Sequence, residues 1–270
     1  MELCVLVDNV SGVHDGLIAE HGFSMWLNID GEQWLIDTGE SDAFAQNATL
    51  LGIDIAKIDY LVLSHGHRDH CGGLETFLSL NDKAKIYVSA NIKNNRYYST
   101  RRGIKRNISL NHSLIKKQSH RFIFIDNDTK LNNHISLISS FSSTHTKPLA
   151  NDTLLANDSP DDFNHEIAIA ITTRNGIIII SPCSHNGVHN TLDACSHLGC
   201  ITHYIGGTHL VDDFESNDEL LTLATTLKQH YPNLTLITGH CTGNCAKNIL
   251  QEVLNDKFIE FYTGFSLNID

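Results

Sequence analysis

One short stretch constrains this chain more than any other. The apolar run Tyr60-Leu61-Val62-Leu63 passes directly into Ser64-His65-Gly66-His67-Arg68-Asp69-His70-Cys71-Gly72-Gly73. The run reads as a buried strand, and the loop after it sets four ligand-type side chains within six residues. In extended chain, positions i and i+2 project to the same side. His65 and His67 can therefore grip one metal ion, while Asp69 and His70 lie further along the turn and can reach a second. Gly66, Gly72 and Gly73 let the backbone bend tightly there. A strand that ends in such a loop calls for a layered α/β frame with its site at the strand ends.

The rest of the chain supplies that frame. Strands are predicted at Leu3–Val7, Phe23–Ile29, Gln33–Ile36, Lys85–Val88, Arg121–Ile125, Ile135–Ile138, Ile167–Ile171, Ile177–Ile180, Ile201–Tyr204 and Leu234–Ile237. The four consecutive Ile at 177–180 suit a strand buried on both faces. Asp37-Thr38-Gly39 reads as a tight exit turn. Ser41 is placed to cap a helix whose Phe44, Leu50 and Leu51 share one face. Further helices are predicted at Leu74–Leu80, His189–His197, Glu219–His230 and Ala246–Leu254. Trp26 and Trp34 fall on strands and read as core. Residues 90–120 have no clean period and read as a basic insertion or lid within a single domain of 270 residues.

Composition removes other classes. With 31 Asp and Glu against 19 Lys and Arg, the net charge is -12, which argues against general nucleic-acid binding. No run reaches the length of a membrane-spanning helix, and the opening MELCVLVDNV lacks the parts of a signal peptide. The seven Cys are odd in number and show no disulfide spacing, so reduced thiols in a cytoplasmic protein are expected. There is no GxGxxG, Walker or GxSxG motif.

The strand and HGHRDH resemble the HxHxDH signature of the metallo-β-lactamase superfamily, and Ile36-Asp37-Thr38-Gly39 resembles that superfamily's earlier Asp-bearing turn. SPCSHNG (181–187), IGGTHL (205–210) and TGHCTG (238–243) resemble the subfamily that includes archaeal dihydropterin-ribofuranosylaminobenzene phosphate synthases. The resemblance implies an αββα sandwich and a dinuclear site of divalent metal ions, zinc first, with iron or manganese also suited to the donors. It assigns His65 and His67 to the first metal, Asp69 and His70 to the second, and His240 as the late His of the second. Asp37 matches an acid that orients ligand imidazoles.

Two positions depart from the common pattern. Cys183 stands where a bridging Asp is usual, and a thiolate can bind zinc. His185 is the first choice for the third His of the first site, since CSH is the subfamily's own motif; His165 is the competitor. His209, after Gly206-Gly207, reads as a proton carrier or substrate contact, so Asp69 and His209 are the catalytic candidates. Cys241 and Cys245 read as small buried side chains, and Gly243-Asn244 as a helix start able to face an anion.

Between Lys83 and Ile125 there are eleven Lys and Arg and no Asp or Glu. Arg96, Arg101, Arg102 and Tyr97 in that stretch are the candidates for holding a phosphate and stacking a ring. The expected activity is hydrolysis of a small anionic substrate, with hydroxide generated from metal-bound water near neutral pH. The subfamily resemblance implies instead a transferase acting on a pterin diphosphate. A metal-bound sensor with little turnover is a third reading, kept open by the absent bridging Asp. A homo-oligomer is compatible with all three.

Overall fold

The computed structural model describes residues 1–269. The described chain divides into two compact units, one formed by residues 1–126, 154–167 and 262–269, the other by 127–153 and 168–261.

The first unit is built on a mixed seven-stranded sheet. Its strands are β1 (Glu2–Val7), β2 (Ser24–Ile29), β3 (Glu32–Ile36), β4 (Tyr60–Val62), β5 (Lys85–Ser89), β8 (Phe122–Ile125) and β18 (Ser266–Asn268), in the order β18-β1-β2-β3-β4-β5-β8. β3, β4, β5 and β8 run parallel, so their C-terminal ends all open on the same edge. Helices α1 (Ala43–Leu50), α2 (Arg68–Cys71), α3 (Leu74–Leu80) and α4 (His112–Lys117) complete the unit. Phe44, Ala48, Leu74 and Phe77 from the helices share a core with Leu35, Leu61 and Ile86 from the strands. Truncating a ring such as Phe77 to Ala should cost about 3–5 kcal/mol.

A second, four-stranded sheet in this unit joins β6 (Tyr97–Ser99) and β7 (Arg106–Asn107) to β11 (Leu154–Ala156) and β12 (Ser159–Pro160). The stretch expected to be an irregular lid is thus partly ordered as a hairpin, packed on the HGHRDH loop. Leu110 N donates to Gly66 O at 2.9 Å and Arg68 N to Ile108 O at 2.7 Å. Strands of two or three residues carry no periodic signal, which is why they were missing from the sequence reading. Leu50 corrects another expectation: it is 63% exposed, while Phe44 alone of the proposed trio is fully buried.

The second unit carries the other seven-stranded sheet. Its strands are β9 (Thr129–Lys130), β10 (Ile135–Ile138), β13 (Ala168–Thr173), β14 (Gly176–Ile180), β15 (Ile201–Ile205), β16 (Thr235–Thr238) and β17 (Phe258–Glu260), ordered β17-β16-β15-β14-β13-β10-β9. β14 to β17 are parallel and lie at the centre and one side of the sheet. The four Ile of β14 are all buried, as a strand covered on both faces requires. Helices α5 (Val188–Cys195), α6 (Asn217–His230) and α7 (Asn244–Leu254) pack Leu192, Leu220, Ala224 and Leu250 against Ile177, Ile179, Tyr204 and Leu236. α6 opens with a capping box between Ser216 and Glu219. No helix among the described residues is long and apolar enough to cross a membrane.

Candidate metal centre

In the first unit the HGHRDH loop leaves β4 and is held by the turn after β3. Thr38 N donates to His70 O at 2.7 Å and Phe23 N to Asp69 O at 3.1 Å. Gly66 is required by contact: a Cβ there would lie 2.3 Å from the Tyr97 ring. The loop brings the His65 ring to 4.6 Å from His67 and 4.2 Å from His70, with all three side chains buried. Asp69 Oδ2 lies 3.6 Å from His70 Nε2 and stays partly exposed.

Hydrogen bonds fix the proton on two of these rings. Asp37 is fully buried and sits in the left-handed backbone region at φ 57°. Its carboxylate accepts from Ser64 N and Ser64 Oγ, each at 2.7 Å, and faces His70 Nδ1 at 2.7 Å. The Ser64 hydroxyl donates its one hydrogen bond to Asp37, so at 2.8 Å its Oγ accepts from His65 Nδ1. Both Nδ1 atoms therefore carry hydrogen, and both Nε2 atoms are left with a lone pair, the state a metal ligand needs. Burial pushes the Asp37 carboxyl up, against the pull of His70 and Ser64. Burial also lowers His67, favouring the neutral imidazole.

His165 is differently engaged. Its Nδ1 accepts from Gly66 N at 3.1 Å and its Nε2 faces Asp161 Oδ2 at 3.1 Å. One ring nitrogen accepts and the other donates, so no lone pair is left for a metal. Burial works to raise the Asp161 carboxyl, but His165 and His67 hold it well below the ordinary range. Tyr97 packs 4.1 Å from the His165 ring and is fully buried. It is therefore no stacking surface for a ligand, which corrects the expectation placed on it. Among its basic neighbours, Arg96, Arg101 and Arg102 stay at the surface. Arg121, by contrast, is 6% exposed and spent on Asn81 and Ala84.

In the second unit, the loops after β14, β15 and β16 carry a second cluster. Cys183, His185 and His209 lie close enough to hold one ion, and so do Cys183, His240 and Cys241. The His185 and His209 rings are 4.1 Å apart. Asn151 Nδ2 donates to His185 O at 2.8 Å, which turns Asn151 Oδ1 toward His185 Nδ1 at 3.0 Å. His185 is thereby a third imidazole with hydrogen on Nδ1 and a lone pair on Nε2. Cys183 Sγ lies 3.3 Å from both His209 Nδ1 and Cys241 Sγ. Gly207 permits this packing, since a Cβ there would lie 2.4 Å from Cys241 Sγ. Ser184, His209 and His240 all adopt positive φ, at 55°, 53° and 47°. Strained non-Gly backbone of this kind concentrates at functional sites.

These donors suit divalent ions: imidazole lone pairs, a carboxylate and thiols, with the imidazoles and Cys183 buried. Three members of the two clusters were not singled out from sequence. Ser64 lay inside the quoted motif, while Asn151 and Asp161 stand in stretches without period. Cys241, read as a small buried side chain, belongs instead to a group that could hold an ion. The start of α7 offers no anion site, because Asp212 already accepts from Asn244 N and Cys245 N at 3.0 and 2.9 Å.

Residues 18–139 match the family model described as the metallo-beta-lactamase superfamily. Over its whole length the chain is similar to a solved metal-dependent hydrolase of the beta-lactamase superfamily, Tm1679. The two share 27% identity and a TM-score of 0.84, covering 100% of this chain and 99% of that one. The chain has the mixed α/β fold of this superfamily's proteins. Among curated proteins it is 26% identical to the 7,8-dihydropterin-6-methyl-4-(beta-D-ribofuranosyl)-aminobenzene-5'-phosphate synthase of Methanocaldococcus jannaschii, across 98% of this chain and 95% of that protein. Human tRNase Z, short form, shares the fold at 13% identity and a TM-score of 0.58.

Proposed function

We propose that the chain is a metal-dependent hydrolase acting on a small, phosphate-bearing substrate. The observation that carries the reading is the Asp37–Ser64–His65 and Asp37–His70 network, which commits two adjacent imidazoles to the ligand tautomer. His65, His67, Asp69 and His70 are the proposed ligands from the first unit. In the second unit's own cluster the proposed ligands are His185 and His240, with Cys183 as a soft donor. Bound divalent ions would acidify water and draw developing negative charge from the substrate. The chain's own residues do the rest. Asp37 and Asn151 hold imidazoles in orientation. His209, with Nδ1 turned to Cys183, takes or gives a proton at Nε2. Arg96, Arg101 and Arg102 attract the anion.

Similarity to the archaeal synthase across nearly the whole chain supports a second reading, a transferase that joins a pterin diphosphate to a ribofuranosyl aryl phosphate. One experiment tests both. The protein is loaded with zinc or manganese, assayed on a phosphodiester, and then incubated with a pterin diphosphate and an aryl acceptor. Metal-dependent release of alcohol supports the hydrolase, and a coupled product supports the transferase. Neither, with no metal retained, overturns both.

A further inference from the structure

Cys183 and Cys241 lie in the loops that follow β14 and β16, which are not neighbours, since β15 runs between them in the sheet. The two loops meet over the end of β15, where the chain is reduced to backbone. Gly206, at φ 146°, would carry a Cβ 1.9 Å from Ser181 O. A Cβ on Gly207 would lie 2.8 Å from Pro182 O and 2.4 Å from Cys241 Sγ. Two adjacent glycines therefore make room for one contact between residues 58 positions apart, Cys183 Sγ to Cys241 Sγ at 3.3 Å. To reach the ordinary disulfide length the sulfurs need to close by only about 1.3 Å.

The two thiols differ in access. Cys183 is 3% exposed, while Cys241 is half-buried and reaches solvent. His209 N donates to Cys241 Sγ at 3.2 Å and holds that sulfur beside Cys183. A thiol open to solvent, with a second thiol poised behind it, is the arrangement of a redox-sensing pair: the first is oxidised and the second resolves it. The other five thiols are placed differently. Cys71 donates to His67 O at 2.8 Å, Cys4 and Cys195 are buried, and Cys200 and Cys245 are exposed.

We propose that Cys183 and Cys241 form a reversible disulfide when the protein meets a hydroperoxide. The Cys241 sulfur takes one oxygen of hydrogen peroxide, the O–O bond breaks, and the other oxygen leaves as water. The Cys183 sulfur then attacks the sulfenic acid so formed, the S–O bond breaks, and a second water leaves. Two thiols and one peroxide thus give one disulfide and two waters. An external dithiol reverses the step by thiol–disulfide exchange. The bond ties the loop after β14 to the loop after β16. It also withdraws Cys183 from an ion in this cluster, because the thiolate is the form that binds a metal. That second effect rests on the metal-site reading above; the bond itself does not.

The test uses the full chain, with and without prior treatment by a chelator, in a small excess of hydrogen peroxide. In the chelator-treated protein two of the seven thiols should disappear together, and dithiothreitol should restore both. Tandem mass spectrometry should find Cys183 joined to Cys241, with Cys245→Ser removing ambiguity at the Cys241 end. Cys183→Ser should leave a sulfenic acid on Cys241 that dimedone traps, at least tenfold more than in the parent, with circular dichroism checking the fold. A link between any other pair overturns the proposal, as does loss of thiols without a link. So does a folded Cys183→Ser protein in which dimedone labels Cys241 no more than in the parent. Zinc added before the peroxide separates this inference from the metal reading. If Cys183 is a ligand, the link should form at least tenfold more slowly. A link that forms equally fast with zinc retained upholds the disulfide and removes Cys183 from the ligands.

Discussion

Asp37 and His70, 33 residues apart, meet as a fully buried pair with Oδ2 and Nδ1 at 2.7 Å. The same carboxylate oxygen accepts a hydrogen bond from the Ser64 hydroxyl, so a single acid sets the tautomers of His65 and His70. Asp37→Asn replaces an acceptor with an amide that offers a donor to one of these partners. Metal retention should fall roughly 10–100-fold, the usual cost of losing an orienting partner. Stability should fall as well, by about 3–5 kcal/mol, because a buried pair is broken. Metal analysis after dialysis and a denaturant titration read the two effects separately. Parent-like retention would show that Asp37 does not orient the ligands.

His165 makes the opposite prediction. With Gly66 N on Nδ1 and Asp161 on Nε2, it belongs to the support of the loop. His165→Ala should destabilise by about 3–5 kcal/mol, since it leaves Asp161 buried with less compensation. At temperatures where the variant stays folded, its metal content should match the parent's. His67→Ala should do the reverse, emptying metal with a smaller loss of stability. A His165→Ala protein that is stable but metal-free would make His165 a ligand.

The contact of Cys183 Sγ with Cys241 Sγ at 3.3 Å makes these two thiols differ from the other five. Cys71 and Cys195 are buried away from any such partner, and burial pushes the thiol of each upward, Cys195 to about 12. Cobalt-loaded protein should show a thiolate-to-metal charge-transfer band. Cys183→Ser should remove it and weaken metal retention, and Cys195→Ser should leave it intact. An unchanged band in Cys183→Ser would mean the thiol is only packing.

His189 gives a prediction for acid stability. Burial, with His145 beside it, lowers its pKa from 6.5 to about 4. The unfolded chain therefore binds the proton more readily than the folded one across that window. The stability this residue contributes is complete above pH 6.5 and is lost as the pH falls toward 4. The loss is on the order of 2 kcal/mol after allowing for partial solvent screening. His189→Gln should flatten the slope of unfolding free energy in that window, as measured by urea titrations at several pH values. An unchanged slope would assign the acid sensitivity to other groups.

The sequence revealed the first cluster because its donors are contiguous and follow an apolar strand. Positions as scattered as Cys183, His185, His209 and His240 were found through resemblance, since each stands at a different strand end. Residues that work through one hydrogen bond left no such trace. Asn151 is an ordinary polar residue until His185 is seen beside it, and Asp161 until His165 is. Tyr97 was misjudged because an aromatic in a basic stretch looks exposed, whereas contact with Gly66 and His165 buries it. Leu50 lies where the helical face of Phe44 was extended too far, in a helix of only eight residues.

Arg101 and Arg102 lie exposed in the turn between β6 and β7, the hairpin whose far end bridges Ser109 to His67. Several of the other basic side chains in this stretch are already engaged. Lys83 pairs with Asp59, Lys105 with Asp158, and Arg121 is buried on backbone carbonyls. Of the rest, Arg96, Arg101, Arg102 and Arg106 are exposed at or beside this turn, and Lys85, Lys93, Lys116 and Lys117 are exposed elsewhere in the stretch. Guanidinium groups at such a place attract a phosphate at long range and pair with it at short range. Replacing both Arg101 and Arg102 by Ala should raise KM for an anionic substrate roughly several-fold at low salt, leaving kcat and metal content near the parent values. The difference should shrink toward 0.5 M salt, as screening shortens the reach of the field to about 4–5 Å. A neutral ester of similar size should show no change at either salt concentration. Equal effects on neutral and anionic substrates would assign the turn to packing or to contact with another chain, and would remove the basic stretch from the account of substrate recognition.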